Sequence, residues 1–526
     1  MELTRGVARP TLPIHSLEKP LSAPPMTAQA VVTADRARHG AARLALFGLL
    51  GFSAGLPFYM FSTVLALRLA EHGVALAVIG FFAWVQLLPT CKFLWAPLLD
   101  RFGVPGFARF WGKRRGWIML AQLGIASATA AMALTADDRS LGVTALFAVL
   151  LAFWTTTLEV AADAWRIELA PTADEQGPIV AANLWGYRSA MVAAGSGALL
   201  VADAAGWSAA YWLIAAAALA PFPLLVAMRG QPGGQANRAA AFFEGLLASA
   251  AILGAALGIV ATVGSASLAG AARLGIDGNA NVTPYVLAIC LLPFLAMAAA
   301  LPRIRRAGPA SRLRTSVAIG PYVDFFWRYG TAALVLMAFV SLYRMGDVLA
   351  LNLSKPMIRD LGYSLSQIGR ADSVVALVAS MAGVGIGGWI VTRWSQGWTL
   401  AAGAIFAAIG NFGFVWLAHR PSDEAALYLA TAADQFGNGM AGAVFVVYLS
   451  MLVNPRYPGA QYAFLSGFAF LLPRLLSGAG GTIVERLDRA GFAGFDLFFL
   501  GSGVVSLAAI AFLPALMRIR PREDER

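Results

Sequence analysis

The sequence predicts an all-α polytopic membrane protein: two six-helix bundles with two extra central helices between them, about fourteen transmembrane helices in all. Three observations carry this. Of 526 residues, 59% are hydrophobic and only 13% are charged, where a water-soluble domain has about 25% charged residues, and the mean hydropathy is +0.69. Such a chain cannot cover its surface with polar groups, so lipid is its better solvent. Long apolar segments recur along its length, and the basic residues collect in alternate loops between them.

A spanning helix needs about 20 mostly apolar residues. Six segments qualify first, at roughly 44–69, 76–99, 116–136, 142–164, 178–201 and 208–228. Two more follow at roughly 239–268 and 284–301, and six at roughly 322–353, 370–392, 397–418, 424–453, 459–482 and 493–516. Residues 1–42 are polar and rich in Pro and Ala, without the apolar core of a signal peptide. They read as a disordered cytoplasmic tail.

One set of loops holds Arg101, Arg109, Lys113, Arg114 and Arg115, then Arg229 and Arg238, then Arg303, Arg305, Arg306, Arg312 and Arg314, then Arg393 and the tail 518–526. The alternate set is poorer in basic residues. Basic loops stay inside, so both termini are expected in the cytoplasm. The basic stretch 302–321 separates the halves, which gives bundles at 43–230 and 322–517 with the extra pair and linker at 231–321. Two six-helix halves joined in this way point to a major facilitator architecture, whose halves are parallel repeats. A weak internal echo agrees: Ala96–Arg101 closes the second helix and Gly388–Arg393 its counterpart in the second half.

The same features exclude other classes. A net charge of +11 would suggest nucleic acid for a soluble chain, but here the charge sits in topogenic loops. Cys91 and Cys290 lie in apolar segments, and His15, His39, His72 and His419 have no metal-ligand spacing, so neither metal nor cofactor is expected. The sequon at Asn281 is read as chance. The 54 glycines suit close helix contacts in lipid. Gly383–Gly388 and Gly478–Gly481 are therefore read as packing or hinge elements rather than phosphate loops. The few histidines, short loops and repeated pattern argue against a membrane-embedded transferase, and buried acid–base pairs suit a coupled carrier better than a channel.

Ionisable residues inside a spanning helix are costly unless paired or hydrated. This chain places Lys92 in the second helix, Glu159 and Asp163 in the fourth, and Arg188 in the fifth. The second half adds Arg344 and Asp347, Asp434, and Arg474. At 1.5 Å per residue, Lys92, Glu159 and Arg188 count to one layer near the cytoplasmic side, and the second-half charges count to the periplasmic side. Each residue reads either as a static ion pair fixing helix register or as part of a relay. Glu159 and Asp163 lie four apart on one helix face; two like charges there repel, and holding a proton relieves the pair, which is what proton coupling needs. Asp347 and Asp434 are the second-half candidates for the same task. Asp100 is positioned to cap a neighbouring helix, and Arg101, Lys113, Arg114 and Arg115 to hold an inner gate as well as set topology. Trp84, Trp95, Trp165, Trp185 and Tyr187 read as interfacial anchors or as sugar-stacking surfaces.

The residues also resemble a known family. Gly51–Pro57, Ile79–Phe82, Lys92–Arg101 (KFLWAPLLDR), Lys113–Trp117, Glu159–Trp165 and Gly186–Arg188 are similar to motifs of the AmpG family of muropeptide permeases. So are Tyr343–Asp347 and Gln461–Ser466 in the second half. Leu158 and Glu159 stand where that family commonly has Gln and Asp, and Asn352–Gly362, with Lys355 and Arg359, departs from its pattern. The resemblance covers nearly all of 44–516 and implies a major facilitator fold. It also implies proton-driven uptake of GlcNAc-1,6-anhydroMurNAc, with or without stem peptide, from periplasm to cytoplasm in cell-wall recycling. In some bacteria that flux governs β-lactamase induction. A siderophore or acetyl-CoA permease on the same scaffold is the alternative.

The expectation is thus a monomeric symporter of the bacterial inner membrane, partnered by protons, lipid and an anionic glycopeptide. Glu159, Asp163, Asp434 and Asp347 would serve the protons. Lys92, Tyr187, Arg188, Arg344, Gln461 and Arg474 would hold the substrate.

Overall fold

The computed structural model describes residues 26–61, 63–72, 83–135, 141–228, 295–477 and 480–522. The chain divides into a unit Met1–Arg43, helical over residues 26–43, and a unit Leu44–Arg526 that holds the helix bundles. Every regular element among the described residues is helical.

The long helices are α1 (Met26–Met60), α2 (Lys113–Leu134), α3 (Leu141–Leu169), α4 (Ala173–Val192) and α5 (Ala198–Ala218) in the first half. The second half has α6 (Ala332–Asp360), α7 (Ala376–Val391), α8 (Gln396–Ala418), α9 (Glu424–Leu452), α10 (Pro458–Ser477) and α11 (Gly494–Ala508). Nine stretches of the described residues are long and apolar enough to cross a membrane. One of them, Ala173–Ala227, has length for two crossings and turns at Gly206, whose φ of 85° suits only glycine without strain. The expected second span is wound as a 3-10 helix over Ala83–Leu94 and then as a short α-helix, Ala96–Arg101, restarted at Pro97. The expected span at 239–268, most of that at 284–301, Cys290 and the sequon lie outside the described residues.

In lipid, helices associate by close packing rather than by escape from water. A Cβ on Gly51 of α1 would lie 1.9 Å from the Asn183 carbonyl oxygen of α4, and one on Gly186 of α4 would lie 1.9 Å from that of Gly48. These glycines let the two backbones touch. Around them the first half buries Phe47, Leu50, Leu99, Ile118 and Tyr211, while the second buries Phe326, Phe339, Tyr343, Leu449 and Leu465. Helix ends are set locally: the Asp423 carboxylate accepts from the N–H of Ala425 and Ala426, both at 3.1 Å, and starts α9.

The halves meet along α4 against α7 and α3 against α10. At one end the contact is tight, since a Cβ on Gly177 would lie 2.4 Å from the Gly388 carbonyl oxygen. Further along, α4 and α7 each adjoin a π turn, Ala193–Gly197 and Ala371–Val375. Both turns line a cavity. π turns recur at functional sites.

Candidate transport site

The cavity lies between the halves and holds about 740 Å³. Helix α4 contributes Arg188, α6 contributes Arg344, Asp347 and Lys355, α9 contributes Asp434 and Asn438, and α10 contributes Arg474. With Leu351 between them, the α6 residues fall on one face because they recur every three to four positions. Arg188 and Arg344, from opposite halves, both donate to the Asn438 side-chain oxygen, at 3.2 and 3.3 Å. Arg344 also pairs with Asp347 at 2.7 Å, with both side chains under a tenth exposed. The Asp434 carboxylate accepts from Gln435 at 2.8 Å. Arg474 lies 5.5 Å from the Phe470 ring centroid at the cavity wall.

Beneath this floor a second polar layer runs on. Lys92 donates to Glu159 at 3.4 Å. Glu159 interacts electrostatically with Asp163 and Arg474, and Tyr187 with Glu159, Arg188 and Arg474. Arg188, expected in one layer with Lys92 and Glu159, donates to Asn438 and meets Glu159 through Tyr187. Depth along an axis does not fix the direction of a side chain, and this one reaches across to α9. Arg474, counted to the far side, instead links the two layers. Asp163 is paired with Arg166 at 2.9 Å, one turn along α3.

At the end away from the cavity the halves are bonded shut. The Asp100 carboxylate accepts from the N–H of Gly459 at 3.0 Å and of Ala460 at 2.7 Å, and so caps α10 of the other half. Arg114 fixes that carboxylate at 2.8 Å while holding Glu168 at 2.7 Å and the Leu99 carbonyl at 2.9 Å. Lys113 donates to the Asp100 carbonyl at 2.6 Å and Arg115 to that of Met228 at 2.8 Å. Arg101 is exposed beside them. Arg166, almost fully buried, donates to Ser450 of α9 at 3.0 Å and to Gln176, and the Tyr322 hydroxyl donates to the Phe93 carbonyl.

Gln461 does not line the cavity. Fully buried near the start of α10, it donates to Asp324 at 3.0 Å and to the Pro321 carbonyl at 2.8 Å, and accepts from the Asn454 N–H at 2.7 Å. Its shared motif marks a structural knot. Trp185 donates to the Met381 carbonyl at 2.8 Å and bridges the halves, whereas buried Trp95 donates to Thr157 at 3.1 Å within one half. Trp165 packs on Phe47, their ring centroids 5.7 Å apart, and the side chain of Trp84 lies outside those described. Sequence reasoning missed Asn438, which is neutral, and Arg166, which the i, i+3 spacing from Asp163 would have signalled.

Two helical halves closed at one end over a polar cavity define a multi-pass membrane protein with the major facilitator fold. The proton:xylose symporter XylE matches it with a TM-score of 0.59 at 15% identity, covering 92% of this chain and 97% of that one. The transporter FucP, in the outward conformation, matches with a TM-score of 0.55 at 12% identity, covering 90% and 98%. In sequence the chain is 28% identical over 470 residues to the anhydromuropeptide permease of Escherichia coli, covering 88% of this chain and 78% of that one. It is 26% identical over 467 residues to a Rickettsia conorii protein named as transporter AmpG 4, covering 88% and 94%. No family model matches the chain. In sequence the chain is thus similar to the AmpG-type permeases, the family its motifs resemble.

Proposed function

We propose that the protein is a proton-coupled symporter carrying anhydro-muropeptides, GlcNAc-1,6-anhydroMurNAc with or without stem peptide, from periplasm to cytoplasm. It sits in the bacterial inner membrane with both termini cytoplasmic, so the bonded end faces the cytoplasm and the cavity the periplasm. The sharing of Asn438 by Arg188 and Arg344 carries this reading. Asp347 balances Arg344, but Arg188, Arg344 and Arg474 stand at the floor against only Asp347 and Asp434, a formal surplus of positive charge that attracts an anion more strongly there than in bulk water. The lactyl and peptide carboxylates of a muropeptide supply that anion. Because the arginines come from opposite halves, a bound carboxylate joins the halves, which alternating access about a midplane site requires. Glu159, between Lys92 and Arg474, is the proton carrier: protonation releases Lys92, and proton symport offsets the charge of the substrate. Asp434 and Asp347 tune the arginine pair from the cavity wall.

The test is uptake of labelled disaccharide into proteoliposomes, with and without an inward proton gradient, for the wild type and Glu159→Gln. Gradient-driven accumulation that the substitution abolishes, with substrate exchange retained, supports ligand and coupling together. Failure of wild-type protein in intact vesicles to accumulate it rejects the muropeptide reading in favour of a siderophore. Accumulation that survives the substitution returns Glu159 to a structural role.

A further inference from the structure

We propose that Lys355 and Asp372, paired at the mouth of the cavity, form a subsite for a zwitterionic, amino-acid-like part of the substrate. They thereby set the preference for peptide-bearing over peptide-free ligands.

Lys355 lies eleven positions beyond Arg344 on the same helix, about 16 Å along its axis. Both residues line the one cavity, yet no single small anion spans them. A ligand that reaches the mouth from the arginine floor must be extended, with chemistry of its own at the second end. Lys355 is ion-paired with Asp372, which stands in the π turn of the facing element, and the two side chains are 60% and 40% exposed. An ion pair this open adds little to stability, so the fold does not explain why two charges stand in the cavity wall.

Charge decides what such a pair admits. A ligand with only a carboxylate would take Lys355 and leave Asp372 beside a second negative group. A ligand with only an ammonium would do the converse. A group carrying both replaces the internal pair with two external ones at no net change in charge. Ser354 and Ser373, next to the two charged residues in the lining, donate to the Leu351 and Gly369 carbonyls at 3.3 and 2.7 Å, which leaves their oxygens to accept from a peptide N–H. Nearby, Arg370 pairs with Glu424 at 2.7 Å outside the cavity lining and is an internal control.

This inference rests on the muropeptide reading and deepens it. The experiment compares proteoliposome uptake of the labelled anhydro-disaccharide with that of the same disaccharide carrying a tripeptide. The proteins are wild type, Lys355→Met, Asp372→Asn and Arg370→Gln. Uptake of the peptide-bearing ligand is expected to fall at least tenfold in the first two variants while that of the bare disaccharide stays within about twofold. Arg370→Gln should change neither. Equal loss of both ligands, or loss of neither, overturns the proposal. If the wild type carries neither ligand, the muropeptide reading fails separately. Calorimetric titration of purified protein with a zwitterionic tripeptide then decides: binding lost in Lys355→Met supports the subsite, and equal binding in both proteins overturns it.

Discussion

Arg188 and Arg344 come from opposite halves of the chain and donate to one atom, the side-chain oxygen of Asn438, at 3.2 and 3.3 Å. Asp347 balances Arg344, whereas Asn438, a neutral acceptor, orients Arg188 without neutralising it, and the proposed anion site rests on that difference.

Asn438→Asp would place a permanent anion where the substrate's is expected. Uptake should fall at least tenfold, while the melting temperature of the detergent-solubilised protein is held or raised because the repulsion is relieved. Asn438→Leu should lower both, costing about 1–3 kcal/mol of stability by leaving buried donors without their acceptor. Uptake by Asn438→Asp at the wild-type rate would remove the arginine pair from the binding site.

Arg344 serves Asn438 and Asp347 together, at 3.3 and 2.7 Å. The guanidinium serves its two acceptors from separate nitrogens of a planar fork, a geometry that the single nitrogen of lysine does not reproduce, so Arg344→Lys should transport at less than a tenth of the wild-type rate. Arg344→Gln alone leaves Asp347 a buried unpaired charge, a loss of about 3–5 kcal/mol. Adding Asp347→Asn should recover most of that in thermal unfolding without restoring uptake.

At the bonded end, Asp100→Ala removes the cap on α10 and a partner of Arg114. A helix cap is worth about 0.5–2 kcal/mol, so the closed arrangement should be less populated. A cysteine placed at Ser450, now held by Arg166, should label several-fold faster in inside-out vesicles. Unchanged labelling would mean the Asp100 contact does not control the gate.

Two glycines should behave differently although both sit at backbone contacts. Gly51→Val crowds α1 against α4 within one half and should reduce the yield of folded protein, as overpacking costs about 1–3 kcal/mol. Gly177→Val crowds α4 against α7 across the halves. The protein should fold, label readily at the bonded end and fail to transport. If Gly177→Val transports normally, the halves do not close there.

Much of this was legible in the sequence wherever a periodicity or a charge in lipid carried the signal. The described spans follow the apolar segments, Glu159 finds Lys92, Arg344 finds Asp347, and Asp100 caps a helix, because each depends on spacing or on the expense of an unpaired charge. What did not show depends on direction around a helix axis and on neutral groups. Arg188 has the depth of Lys92 and Glu159 but faces Asn438. Asn438 carries no charge to draw attention. Arg166 is close enough to a helix end to pass as a loop charge, and Gln461 belongs to a motif whose role is to hold Asp324 and Asn454. The 3-10 winding ahead of Trp95 has no periodic signature distinct from an apolar α-helix.

The cap that Asp100 lends to α10 is one of the bonds across the halves that a parting at this end would break. When the halves part, Gly459 and Ala460 at the start of that helix turn to water, and so does the carboxylate. Opening exchanges one set of hydrogen bonds for another instead of leaving any unmade. A clasp of about 0.5–2 kcal/mol biases the resting population several-fold yet yields to a ligand whose preference for the open form is only modestly larger. On the proposed transport reading, such a contact would help hold this end shut and still give way when solute binds.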